Sequence, residues 1–471
     1  MSFDPVHATG SQIAAAIRAR HTTARAVVEI LLERIGQTHD IYNAFTLITA
    51  ERALAEAERV DAVIENGGNP GPLAGVPFAV KNLCDLRGEI TVAGSKINRG
   101  NPPALSDATA VGRLNAAGAI CLGALNMGEY AYDFVTENVH DGATCNPRDT
   151  TRSAGGSSGG SGAAIAAGLV ALALGSDTNG SIRVPSSFCG VWGLRPTYGA
   201  VSRGGTFPFV DSLDTIGPFA RSVADLAAAF GALAGPDSRD DATIQQSLAH
   251  RPSIAIDAPP QDLRVARLGG YFATGGDAVV HAAADRVAEA LGASDDVILP
   301  EPELARTSAY LITAAESGLR HLDRLRDHAT DFDPLVRERL FSGAVTPGAW
   351  YLQAQRFRSW WRVQLSRVFA HTDVLIAPAT PLRAPVLGQE TLTFNGRILP
   401  LRPNIGLFTQ PVSLIGLPIV AAPVQIHGEL PCAVQLIAAP HREAQLFQVA
   451  RTLERQGICS APVADDLAVT S

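Results

Sequence analysis

Lys81, Ser157 and Ser181 have types and neighbours suited to activating a hydroxyl. Lys81 lies in the apolar run GVPFAVKNL (75–83), Ser157 in SAGGSSGGSGAAIAAG (153–168) and Ser181 in GSDTNGSIRVP (175–185). A serine is a weak nucleophile until a base takes its proton. A lysine is such a base only when burial lowers its pKa, because an ammonium has no lone pair. Phe78, Val80 and Leu83 are suited to supply the apolar surroundings. A second serine between base and nucleophile accepts one proton while donating another, so a Ser–Ser–Lys chain can replace histidine. Glycines beside Ser157 let backbone approach such a relay closely.

Residues 153–168 admit other readings. A flexible linker joins independent modules, whereas this stretch runs straight into small and apolar residues that must be buried. A phosphate loop would need a following Lys-Ser/Thr or a G-x-G-x-x-G pattern, and neither is present. Gly155 to Gly159 do satisfy G-x-S-x-G, the pattern of a hydrolase nucleophile elbow. An elbow follows directly on a strand, but NPRDTTRSA (146–154) is polar and broken by proline, and no partner histidine is signalled. The elbow stays open beside the relay.

With 46% apolar and 18% charged residues, the 471-residue chain suits one large core. A net charge of −8 without a basic cluster gives no footprint for nucleic acid or an anionic membrane, so a small-molecule partner is expected. The six cysteines are scattered, with no C-x-x-C and no histidines at zinc spacing, so neither a metal site nor a disulfide framework is expected. No apolar targeting run follows Met1, and the expected location is the cytoplasm.

The elements that would position these residues alternate between helix and strand. Residues 9–35 read as two helices, the second capped at Thr22 or Thr23, followed by a strand at 43–49 and a helix at 51–65. The run 75–83 is strand-like and ends near Lys81. Residues 107–127 read as helix, glycine turn and strand. After the Gly/Ser stretch come a small-residue helix and a buried strand ending near Gly175. Ser222 reads as a helix cap with Asp225 at the third helical position. Order loosens from about 235 to 345 and returns in strand-like runs at 373–381, 417–424 and 432–440. Asp177 and Arg183 flank Ser181 and are expected to brace its loop as a charge-assisted pair. Glu129, Tyr130 and Trp350 are candidates to line a pocket, with ordinary core packing the alternative for the aromatics.

GVPFAVKNL, AGGSSGGSGAA, GSDTNGSIRVPSSFCGVWGLRPTYG and SLDTIGPFARSVADL together resemble the amidase signature family, and the likeness continues through APATP and LPIVAAPV. The resemblance implies an α/β/α fold with a central mixed sheet of about eleven strands flanked by helices. It also implies one domain over 1–471, with a more variable, largely helical insertion at about 240–345. It implies cofactor-free amide hydrolysis with Ser181 as acyl-enzyme nucleophile, Ser157 on a cis peptide as relay and Lys81 as base. Backbone N–H groups of Thr178, Asn179, Gly180 and Ser181 would form the oxyanion hole. The family usually has two glycines before this serine, so Asn179 adds a side chain at the pocket wall. In the amidotransferase branch an arginine grips the substrate carboxylate and an aspartate receives its amine; these positions correspond here to Arg358 and Gly406. A carboxylate clamp without an amine clamp points to a small acidic amide, although Arg358 also reads as a solvated charge on an amphipathic helix. More narrowly, AGSKINR, GSDTNGSIRVP and AWYLQAQRFR resemble the s-triazine branch of the family, whose reaction releases ammonia from 1-carboxybiuret beside a small accessory subunit. Asn179, Tyr130 and Arg358 are then the expected substrate contacts. The alternatives are a broad aliphatic or aryl amidase and the glutamine-hydrolysing subunit of an amidotransferase.

Overall fold

The computed structural model describes residues 3–244, 256–257, 263–293 and 296–464. Its centre is built from short runs without the alternation of a half-exposed strand, and such runs are stable only when both faces are covered. Eleven strands form one sheet: β1 (Phe45–Ile48), β2 (Pro77–Lys81), β3 (Ile120–Leu125), β4 (Leu172–Ser176), β5 (Trp192–Arg195), β6 (Ile216–Ala220), β7 (Val265–Leu268), β8 (Asp296–Val297), β9 (Val374–Pro378), β10 (Ile419–Val424) and β11 (Cys432–Ala438). Their order is β1-β3-β2-β4-β6-β5-β10-β11-β9-β7-β8. Every residue of β2, β3, β4, β6, β9, β10 and β11 is buried.

The sheet is mixed. β3, β2 and β4 run parallel to one another, as do β9, β7 and β8, while the strands between them pair antiparallel. The parallel pairing of β2 with β4 sets Phe78 against Leu172 and Val80 against Leu174, so Lys81 and Ser176 emerge at the same end. Helix Gly159–Ala166 packs on β2, β3, β4 and β6, and helix Arg183–Cys189 on β5, β10 and β11; these two helices also pack on each other. Helices Val223–Leu233 and Glu443–Arg455 form another packed pair over the sheet. This is the expected α/β class with its eleven strands. The six cysteines are free thiols, and among the described residues no helix is long and apolar enough to cross a membrane.

The two N-terminal helices, Gly10–Arg18 and Ala24–Tyr42, divide where expected, with Thr23 accepting from the Ala26 N–H. The glycines of the Gly/Ser stretch serve close approach. A Cβ on Gly156 would lie 2.4 Å from the Val135 nitrogen, and one on Gly160 would lie 2.5 Å from the Ala44 carbonyl oxygen. Strands β5 and β6 carried no sequence assignment. Pro218 would argue against a central strand, yet its neighbour β5 pairs only as far as Phe219↔Gly193, which leaves Pro218 beyond that ladder. The stretch 240–345 contains helices Ala278–Ala290, Pro302–Arg320 and Pro334–Ala344, but it also contributes β7 and β8 to the sheet edge. Residues 245–255, 258–262 and 294–295 of that stretch lie outside the described residues.

Asp225 ties the N-terminal helix to this core. Ser222 accepts from its backbone N–H at 3.1 Å, as the cap pattern predicts, while its buried carboxylate turns to the first helix instead. It accepts from the Gly10 and Ser11 N–H groups at 2.7 Å each and from the Ser11 hydroxyl. Asp225→Ala is therefore expected to cost about 2 to 4 kcal/mol in urea unfolding, because it strips the helix-terminal donors, the buried Gly10 N–H among them, of their acceptor. A loss below about 0.5 kcal/mol would show that these bonds add nothing.

Candidate active site

Lys81 ends β2 fully buried. Its Nζ lies 2.7 Å from Ser157 Oγ and 2.9 Å from Ser176 Oγ, the latter from the end of neighbouring β4. No carboxylate is within ion-pair distance among the described residues. Burial pushes the amine down to about 7, against the opposing pull of the Asp133 and Asp214 charges, so an appreciable fraction is neutral at physiological pH. Ser157 follows a cis peptide bond from Gly156. Next to it, Ser158 Oγ accepts from the Ser176 N–H at 3.3 Å and donates to the Ser176 carbonyl at 3.2 Å, which couples the Gly/Ser stretch to β4.

The loop after β4 is folded around one buried carboxylate. Arg183 grips Asp177 through Nε at 3.0 Å and Nη2 at 2.9 Å, and Arg195 adds an ion pair at 3.3 Å. Burial alone would raise the Asp177 carboxyl, but Arg183 foremost and then Arg195 outweigh it and bring it down to about 2. Arg183 Nη1 also donates to Gln435 Oε1 at 2.7 Å, anchoring the loop to β11. The expected bracing pair is thus present, with Arg195 as a third member. Asp177 also accepts the Gly180 N–H at 2.8 Å and the Ile182 N–H at 3.2 Å. Of the four backbone N–H groups expected to face the reacting carbonyl, that of Gly180 is thus bonded inside the loop. Thr178 Oγ1 donates to Asp214 Oδ1 at 2.6 Å, which holds the loop on its other side.

Ser181 opens on a cavity lined also by Thr178, Asn179, Tyr132, Asp133, Phe134, Phe209, Tyr310, Thr313, Arg339 and Gln410. An outer groove of ≈ 330 Å³ shares Tyr132, Asp133, Tyr310 and Arg339 with it and adds Arg402. Lys81 and Ser157 are hydrogen-bonded, whereas Ser181 Oγ makes no hydrogen bond among the described residues. Asn179 reaches the cavity as expected, and its Nδ2 donates to Thr313 Oγ1 at 2.8 Å.

Two expected substrate contacts lie elsewhere. Tyr130 does not line the cavity. It is buried against Phe207, His321 and Phe332, and its hydroxyl meets Asn98 Oδ1 at 3.2 Å. The chain turns here through positive φ at both Tyr130 (48°) and Ala131 (62°), and Tyr132 and Asp133 line the cavity instead. Arg358 does not line it either; Nη2 donates to the Ser212 carbonyl at 2.8 Å. Arg339, on helix Pro334–Ala344, is the cavity's arginine. It stacks 4.1 Å over the Tyr132 ring and donates Nη1 to the Tyr132 carbonyl at 2.7 Å. Glu129 is a structural acceptor for Ser95, His140 and the Asp333 N–H, and Trp350 is exposed. Thr313 and Arg339 reach the site through contacts with segments distant in sequence, Asn179 and Tyr132, and Asp133 lines it from a loop whose turn the sequence does not signal.

A family model described as Amidase matches residues 26–447. AtzE of Pseudomonas sp. (strain ADP), a 1-carboxybiuret hydrolase subunit, is 51% identical over 95% of this chain and 98% of its own length. The chain belongs to the amidase signature family. A glutamyl-tRNA(Gln) amidotransferase subunit from Carboxydothermus hydrogenoformans is 37% identical over 95% of the chain and 96% of its own length. A solved structure described as a vestigial protein complex revealing the origins of an s-triazine catabolic enzyme superimposes with TM-score 0.94. It is 50% identical, over 96% of this chain and 100% of that one. This amidase signature protein is an amidohydrolase acting on C–N bonds.

Within this amidase fold, Gly406 is filled from outside. A Cβ there would lie 2.7 Å from the Phe134 ring, so the position leaves no room for an aspartate. The buried ion pair beneath Ser181 should dominate the loop's stability. Arg183→Ala leaves Asp177 without its two-pronged partner, and a loss of about 3 to 5 kcal/mol in urea unfolding is expected, with Arg183→Lys losing less. A loss below about 1 kcal/mol would mean that Arg195 alone satisfies the carboxylate.

Proposed function

We propose that the chain hydrolyses the terminal amide of 1-carboxybiuret, releasing ammonia and leaving urea-1,3-dicarboxylate, through an acyl-enzyme on Ser181. The observation that carries the chemistry is the buried Lys81, held between the Ser157 and Ser176 hydroxyls with its amine brought down to about 7. A neutral amine has one lone pair. With an N–H donated to Ser176 Oγ, that lone pair is directed at the Ser157 hydroxyl, which in turn takes the proton of Ser181. Ser181 Oγ then attacks the terminal amide carbonyl, and the oxyanion forms against the Thr178, Asn179 and Ser181 N–H groups. The relay returns its proton to the departing nitrogen, the C–N bond breaks and ammonia leaves. Water, deprotonated by the same relay, attacks the carbamoyl ester and frees Ser181.

The substrate assignment rests on the 51% identity to AtzE, a carboxybiuret hydrolase subunit, and on the cavity's own charges. Arg339 supplies a guanidinium for the substrate carboxylate, in the role first expected of Arg358. Gly406, pressed by Phe134, offers nothing to an α-ammonium, which disfavours glutamine. That AtzE and the amidotransferase relative are both named as subunits supports a small accessory subunit beside this chain.

The test is ammonia release from carboxybiuret, generated in place by opening cyanuric acid, with glutamine and simple amides in parallel. Release from carboxybiuret alone is expected, abolished in Ser181→Ala and in Lys81→Ala. Release only from simple amides would keep the relay and discard this substrate. The pH profile follows from the sign of the lysine shift. Below about pH 7 Lys81 holds its proton and cannot act as base, so kcat/KM should fall about tenfold per pH unit; above it the rate should level off. A rate unchanged down to about pH 5 would remove Lys81 from the mechanism.

A further inference from the structure

Gln410 lines the cavity onto which Ser181 opens and is 5% exposed. Arg306, on helix Pro302–Arg320, donates Nε to Gln410 Oε1 at 2.8 Å, and Nη2 to the Pro403 carbonyl at 2.9 Å and to Asn404 Oδ1 at 2.8 Å. A guanidinium can only donate, so the Gln410 atom turned to it is the amide oxygen, and the amide nitrogen is turned away. Asn404 is fixed by the same logic, its Nδ2 donating to the Pro400 carbonyl at 2.8 Å. Gln410 Nε2 makes no hydrogen bond among the described residues, yet it keeps accessible surface, and Gln410 borders the Ser181 cavity and not the outer groove. Among the described residues no carboxylate pairs with Arg306. Its charge rests on neutral acceptors and polarises the Gln410 amide, which makes the unused N–H groups stronger donors. Gly406 gives this side chain its path, since a Cβ at 406 would lie 3.2 Å from Gln410 Cγ.

We propose that Gln410, oriented by Arg306, is a specificity-determining donor that takes a second carbonyl oxygen of the substrate, beyond the amide being cleaved, and so selects acylureas over alkylureas. This deepens the carboxybiuret reading and rests on it. In that reading the loop N–H groups serve the reacting oxygen and Arg339 serves the carboxylate, so the acceptor left for Gln410 is the carbonyl between them. A methylene at that place leaves the Gln410 N–H groups facing an apolar group, and sites built to hydrogen-bond reject such analogues far more strongly than apolar pockets do. Arg306 acts through Gln410 as a positioning residue. Without it the amide is free to turn its oxygen to the substrate, and the donor becomes an acceptor.

Acetylurea and ethylurea differ only in C=O against CH₂ at this place. Calorimetric titration of both into Ser181→Ala should show acetylurea binding at least about tenfold more tightly. Gln410→Glu keeps the shape, pairs with Arg306 and presents only acceptors; added to Ser181→Ala it should reduce that ratio to about threefold or less, as should Gln410→Leu. Arg306→Leu should lower the ratio at least about threefold. In each variant the loss should fall on acetylurea, whereas a merely structural role would weaken both compounds alike. Thermal melting checks folding, and Gln410→Glu, which gains an ion pair with Arg306, should melt no lower than its parent. Equal binding of the two compounds, no binding of acetylurea, a ratio unchanged in any of the variants, or equal weakening of both compounds would overturn the proposal. Turnover separates this from the substrate assignment. A Gln410-dependent preference for acetylurea without ammonia release from carboxybiuret keeps the donor and discards that substrate, whereas release without the preference does the reverse.

Discussion

The site is organised around a primary amine in the protein interior, where burial disfavours its charged form and brings it down to about 7. Lys81 sits at the end of a strand whose every residue is buried, and among the described residues its hydrogen-bond partners are two hydroxyls. Placing a carboxylate there would have satisfied the burial cost by ionising the lysine, and the lone pair would be lost. Hydroxyls satisfy the amine without choosing its charge. The parallel pairing of β2 and β4 is what makes this arrangement possible, because it brings Lys81 and Ser176 to the same end of adjacent strands.

A few residues away the opposite solution is used. Asp177 is as buried as Lys81 but is surrounded by two arginines and the N–H groups of its own loop, and its carboxyl is brought down to about 2. The pairing makes that charge permanent, which suits a structural role: the loop bearing Ser181 is folded around it and tied through Gln435 to β11. One buried group is thus met by neutral hydroxyls and the other by opposite charge. The second arrangement also engages the Gly180 N–H, which serves the carboxylate.

Local chemistry made much of this legible in the sequence. Lys81, Ser157, Asp177 and Arg183 each lie in a short run whose composition implies its contacts, and the strands near the site are apolar runs bounded by turns. Strand β6 was obscured by Pro218, and β7 and β8 by their shortness and their place in a loosely patterned stretch. The cavity wall was harder for a different reason. Tyr130 and Tyr132 are two residues apart and chemically alike, and it is the folded backbone, with positive φ at both Tyr130 and Ala131, that puts the first in an aromatic box and the second on the cavity wall. Arg358 and Arg339 present the same difficulty, since helical spacing says which residues share a face but not which helix the cavity meets.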